Sequence, residues 1–184
     1  MNWNPLAIGA LLLVSVSAVH AASLFGPATD RVGRPDYASE YVELRKFYGA
    51  ERQRVGTVYA NDKAASVKEL GNLPYPHGSI FVVEWRRALM DDAGKPLQDA
   101  TGNVRGGEIT QIDVMRSEAG YGADYKEARA GSWEFVSYRP DGSHFVPPTQ
   151  SSQCAACHVS AGTERDFVFR GRFPPASNQR MMSD

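Results

Sequence analysis

Two cysteines and a histidine stand together near the C-terminal end of the chain, in the order Cys154-Ala155-Ala156-Cys157-His158. This C-x-x-C-H spacing is typical of c-type haem attachment, in which two thiols add to the two vinyl groups of the porphyrin. The imidazole of the following residue then binds the iron as its proximal ligand. The sequence therefore predicts one covalently held haem c, with Cys154 and Cys157 as thioethers and His158 on the iron.

Three other interpretations of the cysteine pair stay open at this point. In an oxidising compartment, Cys154 and Cys157 could form a structural disulfide. A thioredoxin-like redox pair would need a neighbouring βαβ pattern, which the sequence does not show. A zinc site would need two further ligands, and His77 and His144 have no paired spacing. The residues favour haem attachment over these alternatives.

The sequence offers no convincing protein ligand for the sixth position of the iron. His77 and His144 stand in turns rich in Pro and Gly, where a histidine is more often a solvated surface residue. Among the methionines, Met90 borders a loop and Met115 lies in a predicted strand. Met181 and Met182 stand in a polar tail. An open sixth position would let a small molecule bind the iron.

The first 21 residues read as a secretory signal. Residues 5–19 are almost wholly apolar. A cleavage site is predicted after Ala21, because the residues at its −3 and −1 positions, Val19 and Ala21, are small or of moderate size. An apolar stretch of about 15 residues is short for a membrane span of ~20 residues, although a retained anchor is the alternative. We expect a mature domain over residues 22–184, exported to the periplasm, with no stable membrane span after cleavage.

Composition bounds the class of protein. The chain has 184 residues, of which 42% are apolar, so it has enough core-forming residues for one soluble domain. Its 20 Lys and Arg nearly balance its 21 Asp and Glu, and no long basic run occurs. Nucleic acid is therefore not expected as a partner.

Hydrophobic patterning predicts a small α+β domain around the motif. Tyr37, Tyr41, Leu44 and Tyr48 recur at helical spacing, which predicts a helix over residues 35–48. Asn61 is expected to cap a short helix that runs through Leu70. Alternating or β-branched runs predict strands over residues 52–59, 79–85, 108–115, 132–138 and 166–169. Residues 91–107 read as a polar loop, and residues 174–184 as a frayed tail.

The order of these segments resembles the cytochrome P-460 family and its close relative, cytochrome c′-beta. The similarity rests on TVYANDKAASVKEL, the Pro-rich turn with Gly78, SIFVVEW, GSWEFVSY, CAACH and RDFVF. It implies a small, mainly antiparallel β domain with peripheral helices and an ordered core over about residues 35–173. It also implies one pentacoordinate haem, attached at Cys154 and Cys157 with His158 as proximal ligand, and a homodimer.

One departure from the family pattern concerns a lysine. The resemblance implies that haem-cross-linked members carry Lys in the strand after the Pro/Gly turn, at the position that Val83 occupies here. No Lys occurs between Lys68 and Lys95, so we expect the cross-link to be absent. The chain then looks closer to cytochrome c′-beta, whose hydrophobic distal pocket binds nitric oxide or carbon monoxide, and hydroxylamine oxidation is disfavoured.

The strand around Val83 offers a candidate distal wall. Side chains alternate along a strand, so Phe81, Val83 and Trp85 share one face. An apolar wall would favour uncharged diatomic ligands and disfavour peroxidase chemistry. The alternative is that the three side chains simply fill the core. A slip of one residue in register would instead aim Glu84 at the haem.

The sequence as a whole predicts an exported mono-haem c-type cytochrome with an open distal site for a small gaseous ligand. One alternative is a haem enzyme that oxidises hydroxylamine or nitric oxide. The other is a plain periplasmic electron carrier, which would need a redox partner protein and a six-coordinate iron.

Overall fold

A six-stranded antiparallel sheet forms the centre of the computed structural model, which describes residues 26–169. The strands are β1 (Val42–Gly49), β2 (Arg54–Ala60), β3 (Ile80–Ala88), β4 (Gly106–Ser117), β5 (Trp133–Tyr138) and β6 (His144–Val146). They lie in the sheet in chain order, so each strand pairs with its sequence neighbours. The fold is a small α+β domain, as the sequence predicts.

Three short helices lie around the sheet: α1 (Tyr37–Glu40), α2 (Asp62–Ser66) and α3 (Ser152–Val159). Short 3-10 turns join several of the elements. None of the helices within residues 26–169 is long and apolar enough to cross a membrane. The expected signal over residues 1–21 and the tail over residues 174–184 lie outside the described residues.

The helix predicted over residues 35–48 is wrong. Only its first turn, Tyr37–Glu40, is helical, and the chain then extends into β1. The β-branched and aromatic side chains of this segment suit a strand, and pairing with β2 gives its backbone a full ladder of partners. A bulge at Leu44 breaks the strand's alternation, which is why the sequence reads as helical.

Two further elements differ from the sequence prediction. Helix α2 begins at the expected cap, Asn61, but ends at Ser66, because Val67 turns to an extended conformation and buries its side chain. The segment over residues 166–169 is not a strand. Asp166 and Phe167 both have positive φ, at 47° and 61°, so the chain bends there instead of extending.

Alternation along the strands divides the sheet into two faces. The site face carries Phe81, Val83 and Trp85 and packs against α2 and α3. The rear face carries Val82 and Glu84. A second cluster of buried side chains covers the rear face: Val32, Tyr37, Ile112, Val114, Val136 and Tyr138.

Polar contacts hold the N-terminal segment, residues 26–36, against the rear face of the sheet. Arg31 forms an ion pair with Glu134, whose side chain is fully buried. Asp30 accepts a hydrogen bond of 2.6 Å from the Tyr138 hydroxyl and lies 2.9 Å from His144 Nε2. These contacts leave the site face free for α3 and the chain that follows it.

Candidate haem site

Helix α3 carries the C-x-x-C-H motif and is held against β5 by a short chain of buried hydroxyls. The Ser151 hydroxyl, just before α3, donates to the Pro148 carbonyl at 2.7 Å. It accepts from the Tyr125 hydroxyl at 2.9 Å, and that oxygen accepts the Phe135 N–H at 3.0 Å. Burial raises the pKa of Tyr125 to about 12, so the hydroxyl remains protonated and can donate. The start of α3 is therefore fixed relative to β5.

The two cysteines lie one helical turn apart on α3. Residues three apart on a helix share a face, so both thiols can reach one side of the same flat group. Cys154 is half-buried against the site face and Cys157 is exposed; both are free thiols. Burial raises the pKa of Cys154 to about 11, which keeps it a neutral thiol at neutral pH.

His158 has one ring nitrogen engaged and the other available. Its Nδ1 lies 2.8 Å from the Phe167 carbonyl, which can only accept, so Nδ1 carries the proton and donates. Burial lowers the pKa of His158, which favours the neutral ring. Nε2 is then an unprotonated nitrogen, the form that binds iron, and the carbonyl fixes the ring's orientation as a supporting ligand does in metal sites.

A bend in the chain after α3 brings the Phe167 carbonyl to His158. The Asp166 carboxylate accepts the Tyr75 N–H at 2.9 Å, and the Asp166 carbonyl accepts Nε1–H of Trp133 at 2.9 Å. These two hydrogen bonds hold Asp166 and Phe167 in their positive-φ conformations. The ring of His158 also lies 4.6 Å from that of Phe135, centroid to centroid.

The three residues of the candidate distal wall lie on the site face together, as strand alternation predicts. Phe81 is a core residue: it is only 6% exposed and packs edge-on against Tyr75 at 5.1 Å. Val83 and Trp85 are half-buried and pack against the same cluster as Cys154. The structure thus groups Phe81, Val83 and Trp85 with the haem motif.

Glu84 points to the rear face, away from the haem motif. It is buried there, and its carboxylate accepts hydrogen bonds of 2.6 Å from the Tyr37 hydroxyl and 2.5 Å from Arg86 Nε. The slip in register that would aim this carboxylate at the haem does not occur.

Small residues of β2 lie next to the three residues of the candidate distal wall and are covered by larger side chains. Gly56, Val58 and Ala60 pair with Trp85, Val83 and Phe81, respectively. A Cβ at Gly56 would lie 2.5 Å from the Phe47 ring, so this position requires glycine. Helix α3, with two thiols and a free imidazole nitrogen, packs against β5 and the apolar cluster that includes Phe81 and Trp133, a setting suited to a flat macrocycle. The residues present therefore fit a haem.

A carboxylate that the sequence reasoning missed stands on the same face. Asp113 of β4 pairs directly with Val83 and accepts 2.7 Å from Trp85 Nε1. Two further donors hold it: Gln111 Nε2 at 2.6 Å and Ser137 Oγ at 2.5 Å. Its charge acts on Cys154 and on His158. The face thus combines apolar side chains with one fixed carboxylate and its polar donors, so it is less apolar than the sequence indicates.

The other two histidines within residues 26–169 are a partner of Asp30 and an exposed residue near the bend at Asp166. His144 Nε2 is engaged by Asp30, and its ring packs on Tyr138 of the rear cluster. His77 is exposed in the turn before β3. Among residues 26–169, no group of three or more His, Cys, Asp or Glu side chains could hold a metal ion, so the zinc interpretation lacks its ligands there. Met115 also lies on the site face, where it is buried and pairs with Phe81 of β3 and Phe135 of β5.

Comparison with known proteins gives one family. The sequence model of the family described as Cytochrome P460 matches residues 35–170, well over half of the chain and all of the site described above. Among curated proteins, no match was found.

Proposed function

The chain belongs to the cytochrome P460 family, and from that premise we propose that it is an exported mono-haem c-type cytochrome whose open distal site binds nitric oxide or carbon monoxide. The family implies a haem cofactor. The observation that supports axial ligation is the Nδ1–H of His158 on the Phe167 carbonyl, at 2.8 Å, which leaves Nε2 for iron. Cys154 and Cys157, one turn apart on the same helix, would hold the group by two thioethers.

The side chains around the site define what it can accept. When bound, the haem supplies an iron that can take a sixth, diatomic ligand. Phe81, Val83 and Trp85 would crowd that ligand from one side. Val83 stands where cross-linked family members are expected to have Lys. We therefore propose that no bond beyond the two thioethers joins protein and macrocycle.

Two measurements on the purified protein test this proposal. Extraction with acidified organic solvent should leave the haem with the protein, whereas the double variant Cys154→Ser/Cys157→Ser should release it. The ferrous spectrum should be that of an ordinary c-type haem and should change when carbon monoxide is added. Haem in the organic layer of the wild type would exclude covalent attachment. A strongly red-shifted Soret band would show a further bond to the ring.

Asp113 supports a second candidate function, the oxidation of hydroxylamine or nitric oxide. A carboxylate fixed by three donors beside Val83 could accept a proton from a substrate at the iron, which is general-base catalysis. The test is hydroxylamine-dependent reduction of an added one-electron acceptor by wild type and by Asp113→Asn. Enzymatic function predicts a loss of about 100-fold or more in the variant, with carbon monoxide binding preserved. An inactive wild type removes this candidate.

The export proposal and the electron-carrier alternative have separate tests. We propose that the protein is periplasmic, because residues 5–19 have the character of a cleavable signal. N-terminal sequencing of the mature protein should then begin at Ala22. A low-spin ferrous spectrum unchanged by carbon monoxide would indicate a strong internal sixth ligand and favour a plain electron carrier.

A further inference from the structure

Three arginines converge on a cleft at the end of the sheet where β2 begins and β3 ends. The cleft has a volume of about 330 Å³, and its lining includes Arg52, Arg54 and Arg87. Arg87 forms an ion pair of 3.1 Å with Glu108. Within the described part of the chain, neither Arg52 nor Arg54 has an ion-pair partner. The cleft therefore carries more positive than negative charge.

The charge of Arg54 is only partly compensated. Its side chain is half-buried, and burial together with the neighbouring charge of Arg52 lowers its pKa, while the charge of Asp113 acts in the opposite direction. Like charges held together in a concave surface raise the local potential and attract anions. Negative groups entering the cleft would therefore relieve an existing electrostatic cost.

The cleft is connected to the site face through one aromatic ring. The guanidinium carbon of Arg54 lies 3.6 Å from the centre of the Trp85 ring. On its other side, Trp85 donates from Nε1 to Asp113 at 2.7 Å. Asp113 stands close enough for its charge to act on Cys154. The contacts from Arg54 through Trp85 to Asp113, together with the effect of the Asp113 charge on Cys154, thus link the surface cleft to the haem motif.

We propose that this cleft is the docking site of an acidic one-electron redox protein and that Trp85 is the contact through which the electron passes. The proposal rests on the proposed function, since it requires a haem at Cys154, Cys157 and His158. The exchange moves one electron, so the partner's centre gains the electron that the iron loses, and no covalent bond forms or breaks. The exposed arginines at either side, Arg52 and Arg87, suit a carboxylate-rich protein surface better than a single small anion.

The first test measures oxidation of the ferrous holoprotein by hexacyanoferrate(III), an anionic one-electron acceptor, in a stopped-flow instrument. Arg52→Gln/Arg54→Gln should lower the second-order rate at least about tenfold at low ionic strength, and high salt should abolish the difference. The cationic oxidant tris(phenanthroline)cobalt(III) should show no loss. Lys63→Gln, which removes one exposed charge near the opposite end of β3, is the control, and the single variants Arg52→Gln and Arg54→Gln are compared with it charge for charge.

The second test uses an acidic peptide as a substitute for the partner's surface. Polyglutamate should slow the reaction of wild-type protein with hexacyanoferrate(III) but not that of Arg52→Gln/Arg54→Gln. Free phosphate at the same ionic strength should be a much weaker competitor. Trp85→Phe should slow oxidation while its dependence on salt is retained, whereas a wild-type rate in this variant would exclude Trp85 as the route.

Three outcomes would overturn the docking proposal. An unchanged rate with hexacyanoferrate(III), or an equal loss with both oxidants, would show that the cleft does not select anions. A shifted reduction potential in Arg52→Gln/Arg54→Gln would show that the arginines act on the haem itself, for example on its carboxylates. Failure of the proposed function is recognised separately, because the protein would then lack the covalent c-type spectrum before any kinetics begin.

Discussion

At the scale of single residues, the site is prepared by hydrogen bonds to main-chain groups. The Phe167 carbonyl selects the tautomer of His158 that leaves Nε2 unprotonated. Asp166 in turn holds that carbonyl in place through Tyr75 and Trp133. Orientation of this kind lowers the entropic cost of ligation, because the imidazole does not have to find its rotamer when the iron arrives.

Variants of Phe81 and Val83 distinguish a role in core packing from a role in ligand access. Phe81 is a buried core residue, so Phe81→Ala should reduce the free energy of unfolding by about 3–5 kcal/mol. Val83 is only half-buried, and Val83→Ala should cost about 1 kcal/mol. If Val83 crowds the sixth position, its truncation should speed carbon monoxide association to the ferrous protein.

Urea denaturation and flash photolysis of the carbon monoxide complex measure the two effects on the same samples. Val82→Ala, on the rear face, is the control: it should lower stability and leave carbon monoxide association unchanged. Wild-type association rates in Val83→Ala and in Phe81→Ala would mean that this strand does not line the ligand site.

At the scale of elements, Asn61 joins α2 to β3. Its Oδ1 caps the helix by accepting Ala64 N–H at 3.0 Å and also accepts Ile80 N–H at 3.1 Å. Its Nδ2 donates to the Gly78 carbonyl at 2.8 Å. Asn61→Ala should therefore cost about 2 kcal/mol, at the upper end for a cap, because it frees partners in two elements. Ser66→Ala is the control in urea denaturation, and an equal cost for both would contradict this role.

The stability that Asp30 contributes by holding the N-terminal segment (residues 26–36) on the rear face should depend on pH. Burial works to raise the pKa of Asp30, but hydrogen bonds from Gly33, His144 and Tyr138 outweigh it and hold that pKa below its usual range. A carboxylate with a lowered folded-state pKa stabilises the fold above its unfolded-state pKa. This contribution is lost as the pH falls through the folded-state value.

Asp30→Asn tests that dependence. Wild-type stability should fall more steeply than that of the variant as the pH drops below about 4, measured by urea denaturation across an acid pH series. Asp124→Asn, which removes an exposed partner of Arg31, gives the baseline for a surface charge. Parallel acid limbs for wild type and Asp30→Asn would show that Asp30 does not contribute.

The sequence is a better guide to some of these elements than to others. β3 and β5 are predictable because their side chains alternate and are β-branched or aromatic. β1 is not, because a bulge at Leu44 and pairing with β2 determine its conformation. Asp113 could not be assigned to the site, since only the register of β4 against β3 places it beside Val83. The turn at Asp166 depends on partners more than 30 residues away in the chain.

At the scale of the whole molecule, the two faces of the sheet have different structural roles. The rear face binds the N-terminal segment through buried polar groups, including the fully buried Glu134. The site face combines the haem motif, an apolar cluster and one fixed carboxylate.

The edge strand β1 provides the whole-molecule prediction, which concerns the homodimer implied by the resemblance to the family. Val42 and Leu44 on β1 are 47% and 46% exposed, and an edge strand also offers unpaired backbone groups. A two-fold axis would place the same strand of each copy side by side. We therefore expect the wild type to be a dimer through β1, and Val42→Lys/Leu44→Lys to be a folded monomer.

Like charges brought together in that interface should cost about 3 kcal/mol, or roughly a hundredfold in the dissociation constant. Light scattering after size exclusion, over a range of protein concentrations, measures this change, and circular dichroism confirms that the variant is folded. Phe145→Lys is the matched control, since Phe145 is 48% exposed on β6 at the opposite edge. A monomeric wild type would contradict the dimer itself. Dissociation by Phe145→Lys alone would move the interface to β6, because only the strand at the interface should respond to a buried charge.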